Sequence, residues 1–156
     1  MDFFIETSYH ANNFDYEIKY LDTPEKFGVK VMNIHCLFSG KINAILTRNE
    51  NAERDWYDLN WYIEKGIEPK FEYLSKKLDE TGPFAGKGLR TDTELVKKLL
   101  LEKEKELDYD MINKLLNSVL KENNRVDFNR DYMKNKINDL GKDGYKIKYN
   151  IDEGAF

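Results

Sequence analysis

Cations and carboxylates recur at helical spacing between Leu37 and Gly66, and this is the stretch of the sequence best supplied with reactive side chains. Lys41 and Arg48 lie two helical turns apart, near one face and beside an apolar stripe of Leu37, Phe38, Ile42, Ile45 and Leu46. Asp55, Asp58 and Tyr62 follow at i, i+3 and i+7, with Trp56, Leu59, Asn60 and Ile63 on a neighbouring stripe. If the two segments pack as antiparallel helices, the cations of one meet the carboxylates of the other. The plain chemistry of such a meeting is mutual neutralisation. Spacing alone therefore favours a structural salt-bridge cluster, whose exposed pairs are worth about 0–1 kcal/mol each.

Other candidates carry less. Gly82-Pro-Phe-Ala-Gly-Lys-Gly88 is one residue short of a phosphate-binding G-x-x-x-x-G-K-[ST] loop, and Gly88 stands where the Mg²⁺-binding hydroxyl belongs. It reads as a plain loop. The only Asp-x-Asp, Asp108-Tyr-Asp110, adjoins a helical segment and reads as a helix N-terminus. His10 and His35 are isolated, and Cys36 among apolar neighbours reads as a buried thiol. No Ser/His/Asp or Cys/His arrangement stands out.

The elements that must hold these residues follow from periodicity. Phe3-Phe4-Ile5 begins a first strand, with a hairpin turn at Ala11-Asn12-Asn13. Phe14, Tyr16, Ile18 and Tyr20 alternate with polar residues as in a strand with one buried face. Phe27–Val31 alternates again, after Thr23-Pro24. Asn33 is a fair N-cap for a helix through Arg48, and a polar break at Asn49-Glu50-Asn51 precedes a second from about Ala52 to Lys65. Gly66 stops that helix, and Pro69 opens a third to about Asp79. Thr91 and Thr93 precede a fourth carrying Leu95, Val96, Leu99 and Leu100. The run Leu101–Leu107 reads as a solvated face or a connection. Two further helices are expected at Tyr109–Lys121, with Met111, Ile112, Leu115, Leu116 and Leu120 inward, and at Phe128–Leu140. The tail after Gly141 reads as irregular or as an edge strand. The fold class is α+β: about three N-terminal strands, then a mostly helical body.

The chain has 156 residues, 40% of them hydrophobic and 35% charged, as expected of one well-solvated globular domain. A net charge of −4 gives no general electrostatic pull toward nucleic acid, so any RNA contact requires a local patch. The single cysteine fits a reducing cytoplasm. The first residues carry acids and lack the apolar run of a signal peptide, and no stretch is apolar enough to span a membrane.

The order of the motifs adds a resemblance. Gly40-Lys-Ile-Asn-Ala-Ile-Leu-Thr-Arg48, then Arg54-Asp-Trp-Tyr-Asp58 and Trp61-Tyr-Ile63, resembles the paired helices of the AbiEii/AbiGii toxin family. Phe4-Ile-Glu6-Thr resembles the acidic strand ahead of them, and the likeness covers about residues 3 to 80. It implies a partial nucleotidyltransferase-like core at residues 1–80 and a helical region at 81–156. It also implies a toxin of bacterial toxin–antitoxin or phage-defence systems that transfers nucleotides from a nucleoside triphosphate to RNA with Mg²⁺. Phosphoryl transfer is largely positioning and charge stabilisation, which explains the need for acids, a lysine and a hard cation.

Carried over, Glu6 is the third acidic position of the metal site, or else an exposed acid at a strand edge; Lys41 contacts the triphosphate with Arg48 in the nucleotide site, and Arg54 supports phosphate binding or braces its helix. Asp55 orders the active site, while Asp58 and Trp56 support it. The family's metal motif, Gly-Ser followed by Asp-x-Asp, precedes the strand matched by Phe3–Thr7. The resemblance therefore implies a truncated or split member that is inactive alone, either completed by a missing N-terminal fragment or a decayed remnant. An antitoxin would be its partner and RNA its acceptor. The alternative is a non-catalytic helical module that binds an antitoxin-like protein or RNA.

Overall fold

The structure, a computed structural model, describes residues 16–22, 26–48, 53–119 and 127–142. The expected strand at Phe3–Thr7, the turn at Ala11–Asn13, the break at Asn49–Asn51, Leu120, Lys121 and the tail beyond residue 142 lie outside these residues, as does Glu6. The α+β expectation holds, with two strands among the described residues rather than about three, followed by six α-helices. The chain divides into two compact units, residues 1–33 and 34–156.

In the first unit, β1 (Tyr16–Leu21) and β2 (Phe27–Met32) form an antiparallel hairpin with Tyr16 opposite Met32 and Leu21 opposite Phe27. Alternation predicted a buried apolar face, but Tyr16, Ile18 and Tyr20 are exposed. Lysines rather than a packed layer attend the rings: Lys30 Nζ lies 4.2 Å from the Tyr16 ring centre and Lys26 Nζ 5.5 Å from that of Tyr20.

In the second unit, α1 (Ile34–Thr47) packs against α2 (Glu53–Glu64), α3 (Phe71–Glu80) and α4 (Thr93–Glu104). Its contribution to the core, Phe38, Ile42, Ile45 and Leu46, is the stripe seen in the sequence, except that Leu37 faces outward. α5 (Tyr109–Val119) packs on α2, and α6 (Arg130–Asp139) packs on α2 and α4. Trp56, Leu59, Leu74, Leu78, Leu100, Ile112, Met133 and Ile137 complete one apolar core.

Local chemistry sets the boundaries. Gly66 has a φ of 64°, and its N–H donates to Ile63 O at 2.9 Å while that of Ile67 donates to Tyr62 O at 3.1 Å. These are the paired bonds of a Schellman stop, which holds α2 to its length. Side-chain oxygens of Asp92, Asp108 and Asn129 accept from Leu95, Met111 and Tyr132 N–H groups, capping α4, α5 and α6. The Asp-x-Asp pair is thus a helix start, as its sequence context indicated.

Two expectations about the later helices need correction. Met111 is exposed rather than inward, and the run from Leu101 is helical through Glu104, which is fully buried. Glu104 lies four residues after Leu100 and eight after Val96, on the apolar stripe of α4. Tyr109 Oη donates to Glu104 Oε1, and Arg130 Nε approaches the same oxygen at 3.3 Å. These partners offset part of the cost of taking a carboxylate out of water, since both reach Oε1 while the buried Oε2 accepts no hydrogen bond among the described residues.

Candidate functional site

The Schellman stop and the bonds beyond it fix how α2 lies on α1. After Gly66 the chain returns to the start of α1, where Lys70 N–H donates to His35 O at 3.3 Å and Ser39 Oγ lies within reach of the His35 and Lys70 carbonyls. The C-terminal part of α2 thereby faces the N-terminal part of α1, and Phe38 stacks on Tyr62 with ring centres 4.6 Å apart. Further along, the helices run antiparallel and their charged faces meet.

There, Lys41 Nζ is 3.1 Å from Asp55 Oδ1 and 2.8 Å from Asp58 Oδ2. Arg48 Nη1 is 3.4 Å from the other oxygen of Asp55. The Asp55 side chain is only 7% exposed, against 38% for Asp58, so the two acids are not equivalent. Asp55 is held inside the helix pair by two cations, and its place in the first turn of α2 sets it near the positive end of the helix dipole. Asp58 sits at the rim.

Burial alone would lower the Lys41 pKa. The hydrogen bonds and charges of Asp58 and Asp55 outweigh it, and the net shift is upward from the ordinary 10.5. Lys41 is therefore a fixed positive charge at neutral pH. Burial raises the Tyr62 phenol pKa, helped by Asp58 and opposed by Lys41. Its hydroxyl stays protonated beside the cluster.

The other residues singled out in the sequence take different places. Arg54 is exposed on α2 and outside the cluster, while Trp56 is buried in the core. The glycine-rich loop forms a 3-10 turn at Gly82–Phe84, and Gly88 N–H donates to Asp79 Oδ1 at 2.7 Å. A Cβ added to Gly82, whose φ is 80°, would lie 2.9 Å from Thr47 Cγ2 at the end of α1. The glycine there answers to packing and backbone conformation. A second polar set escaped the sequence reading: Tyr132 Oη donates to Asn60 Oδ1 at 3.0 Å, and Lys136 pairs with Glu64 at 2.8 Å. Its members lie 72 residues apart, and only the fold reveals their pairing.

Among the described residues, no three His, Cys, Asp or Glu side chains converge as metal ligands. Asp55 and Asp58, the carboxylates nearest to such a role, already face ammonium and guanidinium groups. This donor set does not fit Mg²⁺, which calls for an octahedron of oxygens and tolerates no ammonium in its shell. What the arrangement offers is a lysine held at a fixed place. An ammonium has three donors, and two are directed to Asp55 and Asp58.

The family model described as nucleotidyl transferase AbiEii toxin, Type IV TA system, matches residues 1–143. No curated protein and no solved structure matches the chain. The matched span covers the paired helices with their Lys41 cluster and continues through α6. The chain belongs to the AbiEii nucleotidyl transferase toxin family.

Proposed function

We propose that the α1–α2 cluster is the phosphate-receiving part of a site for nucleotidyl transfer from a nucleoside triphosphate to RNA. The observation that carries this reading is a partly exposed Lys41, kept charged and held at one end by the nearly buried Asp55. Phosphate oxygens take the remaining donor of Lys41 and compete with Asp58, the more exposed and more easily released carboxylate. Asp55 keeps the ammonium in place throughout, a positioning role. Arg48, largely exposed, adds charge at the rim for the outer phosphates, and Arg54, exposed on α2 outside the cluster, adds a positive charge to that helix. Charge fixed in advance where negative charge accumulates is the main contribution a protein makes to phosphoryl transfer.

Mg²⁺ is implied by the family and requires carboxylates from outside the described residues; Glu6 is the candidate that this sequence supplies. The antitoxin is the functional counterpart. Equilibrium dialysis of labelled nucleoside triphosphates, with and without Mg²⁺, tests the reading. Retention by the wild type, falling on the order of tenfold or more in Lys41→Ala, is expected for the loss of a charge-assisted contact. Equal retention by both proteins would remove Lys41 from the site.

A second reading, a module that docks a protein partner without catalysis, is favoured by the exposed Tyr16, Ile18 and Tyr20 of the hairpin. Under it, Ile18→Lys abolishes capture of an antitoxin-like protein while Lys41→Ala does not; the opposite pattern argues against it.

A further inference from the structure

Beside the cluster stands a large side chain that neither the core nor the ion pairs use. Trp61 is 42% exposed, whereas the other tryptophan of the chain, Trp56, is 1% exposed. Asp58, which holds Lys41 at 2.8 Å, lies three residues before Trp61 and so on the adjoining turn of the same helix face. Tyr62 meets the indole with ring centres 5.1 Å apart and planes at 85°, and Tyr62 is itself stacked on the buried Phe38. A partly exposed indole thus stands against Tyr62, one helical turn from the aspartate that holds Lys41.

Aromatic faces in this setting stack nucleobases, while neighbouring cations track phosphates. Asp55 and Trp61 are separated by about 9 Å along the helix axis, within the reach of a single bound nucleotide. We propose that Trp61 is the stacking platform for the base of the nucleoside triphosphate whose phosphates Lys41 receives. The assignment rests on the phosphate-receiving role of Lys41. It adds the base-binding end of the site and a prediction about selectivity. Every base has a π face, so Trp61 strengthens binding of all four nucleotides and does not choose among them by hydrogen bonding.

Binding of ATP, GTP, CTP, UTP and inorganic tripolyphosphate is compared at equal Mg²⁺ for the wild type, Trp61→Leu, Trp61→Phe and Lys41→Ala. Tryptophan emission is followed in the same titrations. Because Trp56 is buried, the quenchable emission of the wild type comes from Trp61. The expected result is quenching by each nucleotide but not by tripolyphosphate. Trp61→Leu weakens nucleotide binding by about tenfold or more and leaves tripolyphosphate binding unchanged. Trp61→Phe, which retains a ring, falls between, and Lys41→Ala weakens both ligand classes.

Nucleotide binding without quenching of the wild type overturns the stacking role, whatever the variants do. So does a Trp61→Leu protein that binds nucleotides as tightly as the wild type, or one that loses tripolyphosphate equally. If the wild type binds neither nucleotides nor tripolyphosphate, the role of Lys41 fails first, and that of Trp61 with it.

Discussion

At the residue scale, the two aspartates of α2 differ more in burial than in chemistry. Asp55 makes bonds to two cations from inside the helix pair, and Asp58 makes one at the rim. Removing a nearly buried partner leaves the cations without their fixed counter-charge, whereas water replaces a rim carboxylate. Both cations are more than a third exposed, so screening reduces the cost below that of a fully buried pair. Asp55→Asn is expected to lower unfolding free energy by roughly 1–2 kcal/mol, and Asp58→Asn by less than about 1 kcal/mol, in urea titrations. Equal losses would place the two acids in the same environment. The facing of these charges was legible in sequence, because the i, i+3 and i+7 spacing of Asp55, Asp58 and Tyr62 matched the two-turn spacing of Lys41 and Arg48. Their unequal burial was not. It depends on how deeply α2 beds against α1, which the stacking of Phe38 on Tyr62 and the return of the chain at Gly66 decide.

At the element scale, the boundaries that capping chemistry dictates were readable and those that tertiary packing dictates were not. Gly66 announced the end of α2, and Asp108 the start of α5. The hairpin carried the right alternation, yet strand periodicity does not state what covers a face, and Tyr16, Ile18 and Tyr20 are exposed. Glu104 sat in a run of alternating charges that looked solvated, although its spacing from Val96 and Leu100 placed it on a buried stripe. The loop after α3 shows how a motif-like stretch acquires a structural reason. Gly82 needs a positive φ, and its missing Cβ makes room for Thr47. Gly82→Ala is expected to destabilise by about 1–3 kcal/mol, through left-handed strain plus the clash. Adding Thr47→Ser removes the Cγ2 methyl and restores part of the loss, while its hydroxyl still reaches Asn43 O. A thermal double-mutant cycle with no coupling between the two changes would show that the clash is relieved in another way.

At the scale of the molecule, the shifted groups among the described residues titrate in the alkaline range, apart from the exposed Glu102, which its hydrogen bond from Lys105 holds below the usual carboxylate value. Burial raises the phenols of Tyr62, Tyr109 and Tyr132 above the ordinary 10.0, with Glu104 adding to the effect at Tyr109. Lys41 is raised above 10.5 by its two aspartates against the opposing effect of burial. In each case the unfolded chain loses its proton first. These groups therefore contribute stability that is fully present below about pH 10 and is lost as pH rises through their folded-state values. Denaturation free energy measured from pH 8 to 12 should fall only in the upper part of that range. Absorbance of tyrosinate should show a fraction of the ten tyrosines ionising together with unfolding. All ten ionising near pH 10 in a protein that stays folded would contradict the burial of these three.

The central claim is that Lys41, held by Asp55, receives the phosphates of a nucleotide. Melting temperatures of the wild type and Lys41→Ala, each with the four nucleoside triphosphates with and without Mg²⁺, test it most directly. A ligand that binds only the native state stabilises it by about 2.7 kcal/mol at a hundredfold excess over Kd. The account predicts a rise in melting temperature for the wild type that is lost in Lys41→Ala. An unchanged melting temperature for the wild type with every nucleotide, or an equal rise in both proteins, would contradict it.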